Sequence, residues 1–489
     1  MAKTFATYTL GCKVNQYETN ALEEIFIENG YILTDFDKYA DLYIINTCTV
    51  TAMSDRKSRQ MIRRAKKRNK DALVVVIGCY SQISPDEVAK IDDVNLIMGT
   101  SDKKSIYDEV QKLSLGDKVV KVGDLSFENK FENLDTKAHS KNQRAFLKIQ
   151  DGCDRYCTYC IIPYTRGKVR SRKLDDIVKE VMELAQNGYR EIVLTGIHVA
   201  SYGKDFVRNK KKLVALLGNN LYDEYKAGSH LKEEYAKKQD FEKEDIKKEY
   251  SRIRPEFEET DTKKQSLLEV IQETSKIDGI ERIRIGSLES VIITDEFLQG
   301  LSKIDKFCPH FHLSLQSGCN DTLSRMNRRY TAEEYEDSLI KIRKYFKNPA
   351  ITTDVIVGFP GETEQEFAKT CEFLKKIKLY QMHIFPYSGR SGTKAYGMPN
   401  QIDEAVKHER VLKLKDLDAQ NRREFEENML GEETEVLFEK KENGFFEGHT
   451  GNYVKVHVDT DEDISGKILK VKITNRSENR LFGKLTILF

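Results

Sequence analysis

The chain has 489 residues, enough for about three domains of ordinary size, and its 80 Lys and Arg against 79 Asp and Glu leave a net charge of +1. That balance excludes any bulk electrostatic case for a nucleic-acid or an acidic partner, so a basic patch must be local. With no long apolar segment in MAKTFATYTLG and nowhere ~18 apolar residues in a row, neither a secretory signal nor a membrane span is expected; in a cytosolic chain the nine cysteines then read as ligands, reactive thiols or core residues rather than disulfides.

Over residues 1–115 strand and helix patterns alternate. FATYTLGC ends at Cys12 and precedes NQYETNALEEIFIENG; DLYIINTC ends at Cys48 and precedes SDRKSRQMIRRAKKRN; ALVVVIGC ends at Cys79. Apolar strand runs separated by amphipathic helices predict an α/β domain with a doubly wound parallel sheet covered on both faces. Each of the three cysteines sits at the carboxyl end of a strand, the edge at which such sheets bind ligands and at which separate strands bring end residues together. Taken alone, each also suits a buried small residue.

Residues 116–142 are polar and charged and read as a linker, with room for a hairpin. Over 143–400 a longer series follows: AFLKIQDG, EIVLTG (191–196), RIRIGSL (282–288), HFHLSLQS (310–317), AITTDVIVGFP (350–360) and QMHIFPYS (381–388) read as strands between helices. Six such units predict a partial (β/α)6 barrel whose chemistry lies at the C-terminal strand ends. One charged insert, at about 207–264, breaks the rhythm: residues 221–264 hold 13 acidic and 11 basic side chains in 44 positions, too polar to bury a core of their own. A polar helix is expected over 401–429, and over 430–489 short β runs split by Gly, Asn and Asp predict a small all-β barrel.

The segment KIQDGCDRYCTYCIIPYTRG places Cys153, Cys157 and Cys160 within eight positions after the first strand of this series. Two thiols suit a redox dithiol and four close a zinc site, so three point to a metal centre with one position open. A four-iron four-sulfur cluster held by three thiolates uses all three cysteines and leaves one iron free for a small molecule.

That spacing, with Tyr159 just before the last cysteine on the first loop of a partial barrel, resembles the radical S-adenosylmethionine superfamily. NTCTVTAMSDRKSRQ, DGCDRYCTYCIIPYTRG, LSLQSG, MNRRYT and TTDVIVGFPGET together resemble its methylthiotransferases, in particular the branch that modifies threonylcarbamoyladenosine in tRNA. The resemblance covers nearly the whole chain: an N-terminal cluster domain, the radical barrel and a C-terminal barrel of TRAM type. It implies that Cys153, Cys157 and Cys160 bind a [4Fe-4S] cluster that holds S-adenosylmethionine, and that Cys12, Cys48 and Cys79 bind a second, auxiliary [4Fe-4S] cluster. It further implies two molecules of S-adenosylmethionine per turnover, an electron donor such as flavodoxin or ferredoxin, and methylthio insertion at C2 of an adenosine beside the anticodon. Isopentenyladenosine in tRNA and an aspartate of a ribosomal protein are sister substrates that cysteine spacing does not separate. An iron-sulfur RNA-binding regulator without turnover is the reading from another class.

Strand ends supply candidates for the cofactor: Thr195 and Gly196, Ser287 and Glu289, Gln316 and Ser317, and Gly358, with glycine permitting close backbone approach and the polar groups suited to ribose and methionine; each also suits a turn or cap. His198, His310, His312 and His383 read as core or surface residues, and Cys308, Cys319 and Cys371 as small apolar ones. Arg56, Lys57, Arg59, Arg63, Arg64, Lys66, Lys67, Arg68 and Lys70 form an acid-free run after Cys48, suited to RNA phosphates or else to a solvated helix face. In the last domain 9 Lys and Arg face 11 Asp and Glu, so RNA there would depend on few residues, such as Lys470, Lys472, Arg476 and Arg480, or on the aromatics Phe445, Phe446 and Tyr453.

Overall fold

The computed structural model describes residues 3–127, 130–134, 144–207 and 265–486. Beyond its first residue, the charged insert expected at about 207–264 lies outside the described residues, as do positions 135–142 of the expected linker.

The first six strands are β1 (Thr4–Thr9), β2 (Ile32–Leu33), β3 (Leu42–Thr47), β4 (Leu73–Gly78), β5 (Leu96–Met98) and β6 (Val119–Lys121). They form one parallel sheet in the order β2-β1-β3-β4-β5-β6. Both faces are covered, as the continuous apolar runs require. Tyr43, Ile45, Val74 and Val76 pack with Met61, Ile62 and Ala65 of the helix Ala52–Arg68, while Phe5, Ile44, Val75 and Ile77 pack with Leu22 and Phe26 of the helix Lys13–Glu28. β6 is a correction, because its residues fall in the stretch read as linker and hairpin yet join the sheet as a parallel edge strand. Val119 and Val120 remain exposed, so backbone bonds hold this strand and no side-chain alternation announces it.

The next strands are β7 (Arg144–Asp151), β8 (Arg170–Ser171), β9 (Glu191–Gly196), β10 (Arg282–Ile285), β11 (His310–His312), β12 (Ala350–Val357) and β13 (Gln381–Pro386). β7, β9 and β10 run parallel, as do β11, β12 and β13; isolated bridges Ile283 to Phe307 and Leu288 to Leu313 join the two groups, and β8 is a short antiparallel edge. This is the six-unit partial barrel. Leu147, Ile149, Ile192, Leu194, Ile283, Ile285, Val355 and Val357 enter the core shared with the outer helices. Strand alternation therefore turns Phe146, Arg284, His312, Asp354 and His383 toward the lumen. The helix Lys13–Glu28 serves both parts: Tyr17 and Ala21 join the barrel core, and the Tyr17 hydroxyl donates to Leu134 O at 2.6 Å.

After the helix Glu404–Glu427, the strands β14 (Glu433–Glu442), β15 (Phe445–Thr450), β16 (Lys455–Val458), β17 (Ile468–Ser477) and β18 (Arg480–Leu485) close a barrel in the order β14-β15-β16-β18-β17. It caps the N-terminal strand ends of the larger barrel. Tyr453 sits with its ring centroid 5.0 Å from the Arg144 guanidinium and 4.5 Å from that of Arg284, and it stacks on His310 and His449. Arg282 and Arg284 donate to the backbone carbonyls of Glu435, His449, Thr450 and Gly451. The opposite rim carries the loop with Cys153, Cys157 and Cys160 and meets the first domain, where Arg390 pairs with Asp55 at 2.6 Å. Among the described residues no helix is long and apolar enough to cross a membrane.

Candidate active site

Cys12, Cys48 and Cys79 follow β1, β3 and β4, three neighbouring strands, and strand spacing of about 4.8 Å brings their ends together. Two glycines make the turns. Gly11 (φ +110°) lies so close to Cys48 that a Cβ there would stand 3.2 Å from its Sγ, and Gly78 (φ +101°) passes Thr47 O with no room for a side chain before Cys79 opens the helix Cys79–Ile83. Burial, with Cys79 and Cys12 nearby, pushes Cys48 up to about 11.

Behind this trio lies a largely buried ionic network. The Arg166 guanidinium donates to Cys79 Sγ at 3.4 Å, to Glu18 Oε1 at 2.5 Å and to Asn15 Oδ1 at 2.6 Å. Lys148 pairs with Glu18 at 3.0 Å and Asp151 at 3.2 Å, Lys103 with Glu18 at 3.4 Å and Glu132 at 3.8 Å, and Arg170 with Asp151 at 3.7 Å. Burial alone would raise the Glu18 and Asp151 carboxyls, but the cations around them hold both well below the usual range. Four cations thus face three carboxylates, and the surplus positive charge is directed at a cysteine sulfur. That is the environment an anionic thiolate centre requires.

Cys153, Cys157 and Cys160 occupy the loop after β7. Tyr156 turns it with φ +50°, Cys153 N donates to Gly167 O at 3.0 Å, and Thr158 N donates to Met326 O at 3.1 Å. Arg328 donates to Cys157 Sγ at 3.3 Å and pairs with Glu289 at 3.1 Å; Arg155 and His198 also bind Glu289. Against the burial that raises it, His198 and the two arginines hold Glu289 at about 2. Burial and neighbouring thiols push Cys153 up to about 11 and Cys160 up to about 12. Thiols this hard to ionise alone become ligands once a metal supplies positive charge. Among the described residues, the one set of three His, Cys, Asp or Glu donors within 4.8 Å of one another is Cys319, Asp321 and Glu366, whose Glu366 is taken by Arg325. Neither thiol trio forms such a set.

The other expected site residues divide. Glu289 and Thr195 are buried near the second trio or on the lumen face, and the Tyr159 ring packs on Phe359. Gly196 is required by Gln150, whose atoms would lie 2.8–3.0 Å from a Cβ, and Gly358 (φ +69°) by Lys407, 2.3 Å from one; both glycines have packing reasons. Gln316 (φ +73°) continues the pairing with β12, Ser317 caps Cys319 N, and Ser287 is exposed. In the basic helix Arg56, Lys57, Arg63 and Lys67 point to solvent, whereas Arg59 binds the Tyr80 hydroxyl at 2.9 Å and Arg64 pairs with Asp37 at 2.5 Å. Tyr453 is committed to the barrel contact, Phe446 to the small barrel's core and Arg476 to Glu426, so none is a free RNA contact. Sequence reasoning missed Arg166, Arg328 and His198 as site residues. Arg166 and Arg328 stand inside the quoted IIPYTRG and MNRRYT, but nothing in either motif gives their direction.

The Radical SAM superfamily model matches residues 147–374, the model described as Uncharacterized protein family UPF0004 matches 4–99, and the TRAM domain matches 427–486. The central barrel with its three-cysteine loop is therefore a radical S-adenosylmethionine domain. The chain is 40% identical over 477 residues to the threonylcarbamoyladenosine tRNA methylthiotransferase MtaB of Bacillus subtilis, covering 96% of this chain and 93% of that protein. It is 39% identical over 466 residues to the protein of the same name from Aquifex aeolicus, covering 95% and 98%, and 33% identical over 490 residues to a tRNA-2-methylthio-N(6)-dimethylallyladenosine synthase from Thermoanaerobacter, covering 98% and 91%. The chain belongs to the family of radical S-adenosylmethionine tRNA methylthiotransferases.

Proposed function

We propose that this protein inserts a methylthio group at C2 of N6-threonylcarbamoyladenosine beside the anticodon of tRNA. One observation supports it above the others: two separate three-thiol sets, each with an arginine donating to one sulfur, are joined through adjacent residues, since Arg166 reaches Cys79 and Gly167 O accepts from Cys153 N. Adenine C2 carries an unactivated C–H, so two [4Fe-4S] clusters and two molecules of S-adenosylmethionine supply the radical, the sulfur and the methyl group. Cys153, Cys157 and Cys160 hold one cluster and Cys12, Cys48 and Cys79 the other, each leaving an iron open. Glu289, fixed by Arg155, Arg328 and His198, and Thr195 orient the cofactor at the strand ends. Arg166 and Arg328 balance charge at the sulfurs. Arg56, Lys57, Arg63 and Lys67 grip RNA phosphates, and a flavodoxin or ferredoxin supplies electrons.

Nucleoside mass spectrometry of tRNA from cells lacking the gene tests this. Loss of the methylthio mark on threonylcarbamoyladenosine alone is expected. Loss on isopentenyladenosine instead would move the substrate to that of the dimethylallyl-type relative, and an unchanged profile would refute action on tRNA.

A further inference from the structure

The barrel lumen carries a polar layer that neither the clusters nor the cofactor explains. His312 on β11 shares hydrogens with Thr352 Oγ1 at 2.9 Å and Asp354 Oδ2 at 3.2 Å on β12, and the His383 ring on β13 lies 5.7 Å from that of His312. The register places Asp354 beside His383 and His312 beside Thr352, on one face. A side chain from another domain joins them. Lys13, adjacent to Cys12, extends its ammonium to 6.0 Å from the Phe146 ring centroid and makes no ion pair or hydrogen bond among the described residues. It is near enough to act on both His310 and His383. Burial, and then the neighbouring His312, lower His383 below the ordinary imidazole range.

The charges do not balance within this layer. Asp354 is engaged by His312, and the Arg144 and Arg284 guanidiniums below are committed to Glu191, Tyr453 and backbone carbonyls. Among the described residues neither Lys13 nor His383 has a hydrogen-bond partner, and Asp418 is the further carboxylate near enough to act on His383.

We infer that Lys13 and His383 grip the carboxylate of the threonylcarbamoyl group, so that the lumen selects this adenosine over one with an apolar N6 substituent. The inference rests on the substrate reading above. C2 and the carbon bearing N6 belong to the same six-membered ring, so the reacting atom and the substituent enter one cavity. The carboxylate answers the ammonium and the imidazole N–H, and the threonyl hydroxyl can donate to Asp354. A dimethylallyl group would leave the same donors desolvated and unpaired, the arrangement that rejects a wrong substrate most strongly.

The test uses iron-loaded protein without reductant and anticodon stem-loops carrying either threonylcarbamoyladenosine or its neutral threoninamide analogue, read by fluorescence anisotropy. Wild type is expected to bind the acid about tenfold more tightly than the amide. Lys13→Met and His383→Leu should each bring that ratio toward one at unchanged affinity for the amide and unchanged iron content. His383 lies far in sequence from the cysteines, so it keeps the test valid if Lys13→Met loses iron. Equal binding of both loops by wild type, or variants that weaken both loops together, would overturn the lumen assignment. If wild type methylthiolates neither loop under turnover conditions, the substrate reading itself falls.

Discussion

The two thiol trios reach one arrangement by opposite routes. Cys153, Cys157 and Cys160 lie on a single loop after β7, and their geometry needs little more than that loop and its contact with Met326. Cys12, Cys48 and Cys79 come from three neighbouring strands and meet only when the sheet order β1-β3-β4 forms. Each trio has an arginine at one sulfur, but Arg328 stands among Glu289, Arg155 and His198, groups suited to a small molecule, whereas Arg166 is locked in a dry network of Glu18, Asp151, Lys103 and Lys148. One trio thus has beside it polar side chains of the kind that hold a small molecule, whereas the other is backed by fixed, buried charge.

The comparison is sharpened most by separating the two trios. Cys157→Ala should abolish reductive cleavage of S-adenosylmethionine, a loss of about a thousandfold or more, while Cys48→Ala should still release 5′-deoxyadenosine and yet form no methylthio product; chromatography of both products checks this. Next in size, Arg166→Ala should destabilise by about 3–5 kcal/mol in denaturant unfolding, because Glu18 loses its closest partner in a buried site, while Arg328→Ala should lower activity far more than stability. Equal stability losses would break the distinction.

A third region, at the N-terminal ends of the barrel strands, serves as reference. Burial would raise Glu191, but Arg284 and Arg144 hold it at about 2, below the ordinary 4.5. Its contribution is therefore complete above about pH 4.5 and disappears as pH falls toward 2. Urea midpoints of wild type and Glu191→Gln should converge over that window. The smallest effect concerns RNA: replacing Arg56, Lys57, Arg63 and Lys67 with alanine should flatten the salt dependence of tRNA binding by up to about three in log–log slope, with cluster content intact.

The local trio was fully legible in the sequence, since eight positions carry its residue types and spacing. The dispersed trio was legible as strand ends, because apolar runs stop at Cys12, Cys48 and Cys79. What the sequence withheld was direction. Arg166 lies 87 residues from Cys79 and 148 from Glu18, and no local pattern shows that its side chain turns toward them. Gly196 and Gly358 looked like points of ligand approach, yet Gln150 and Lys407, each distant in sequence, occupy the space a side chain would need. Tyr453 looked like a stacking platform for bases and instead closes the barrel floor. Lys13 gave no signal at all, because its importance arises only from a helix of one domain lying against the barrel of another.

Iron and sulfide analysis of anaerobically reconstituted wild type and of the Cys12→Ala, Cys48→Ala, Cys79→Ala triple variant addresses the central claim most directly. Two clusters give about eight iron atoms per chain in wild type and about four in the variant. About four in both proteins would show that the dispersed trio binds no cluster, and the account of this site would fail.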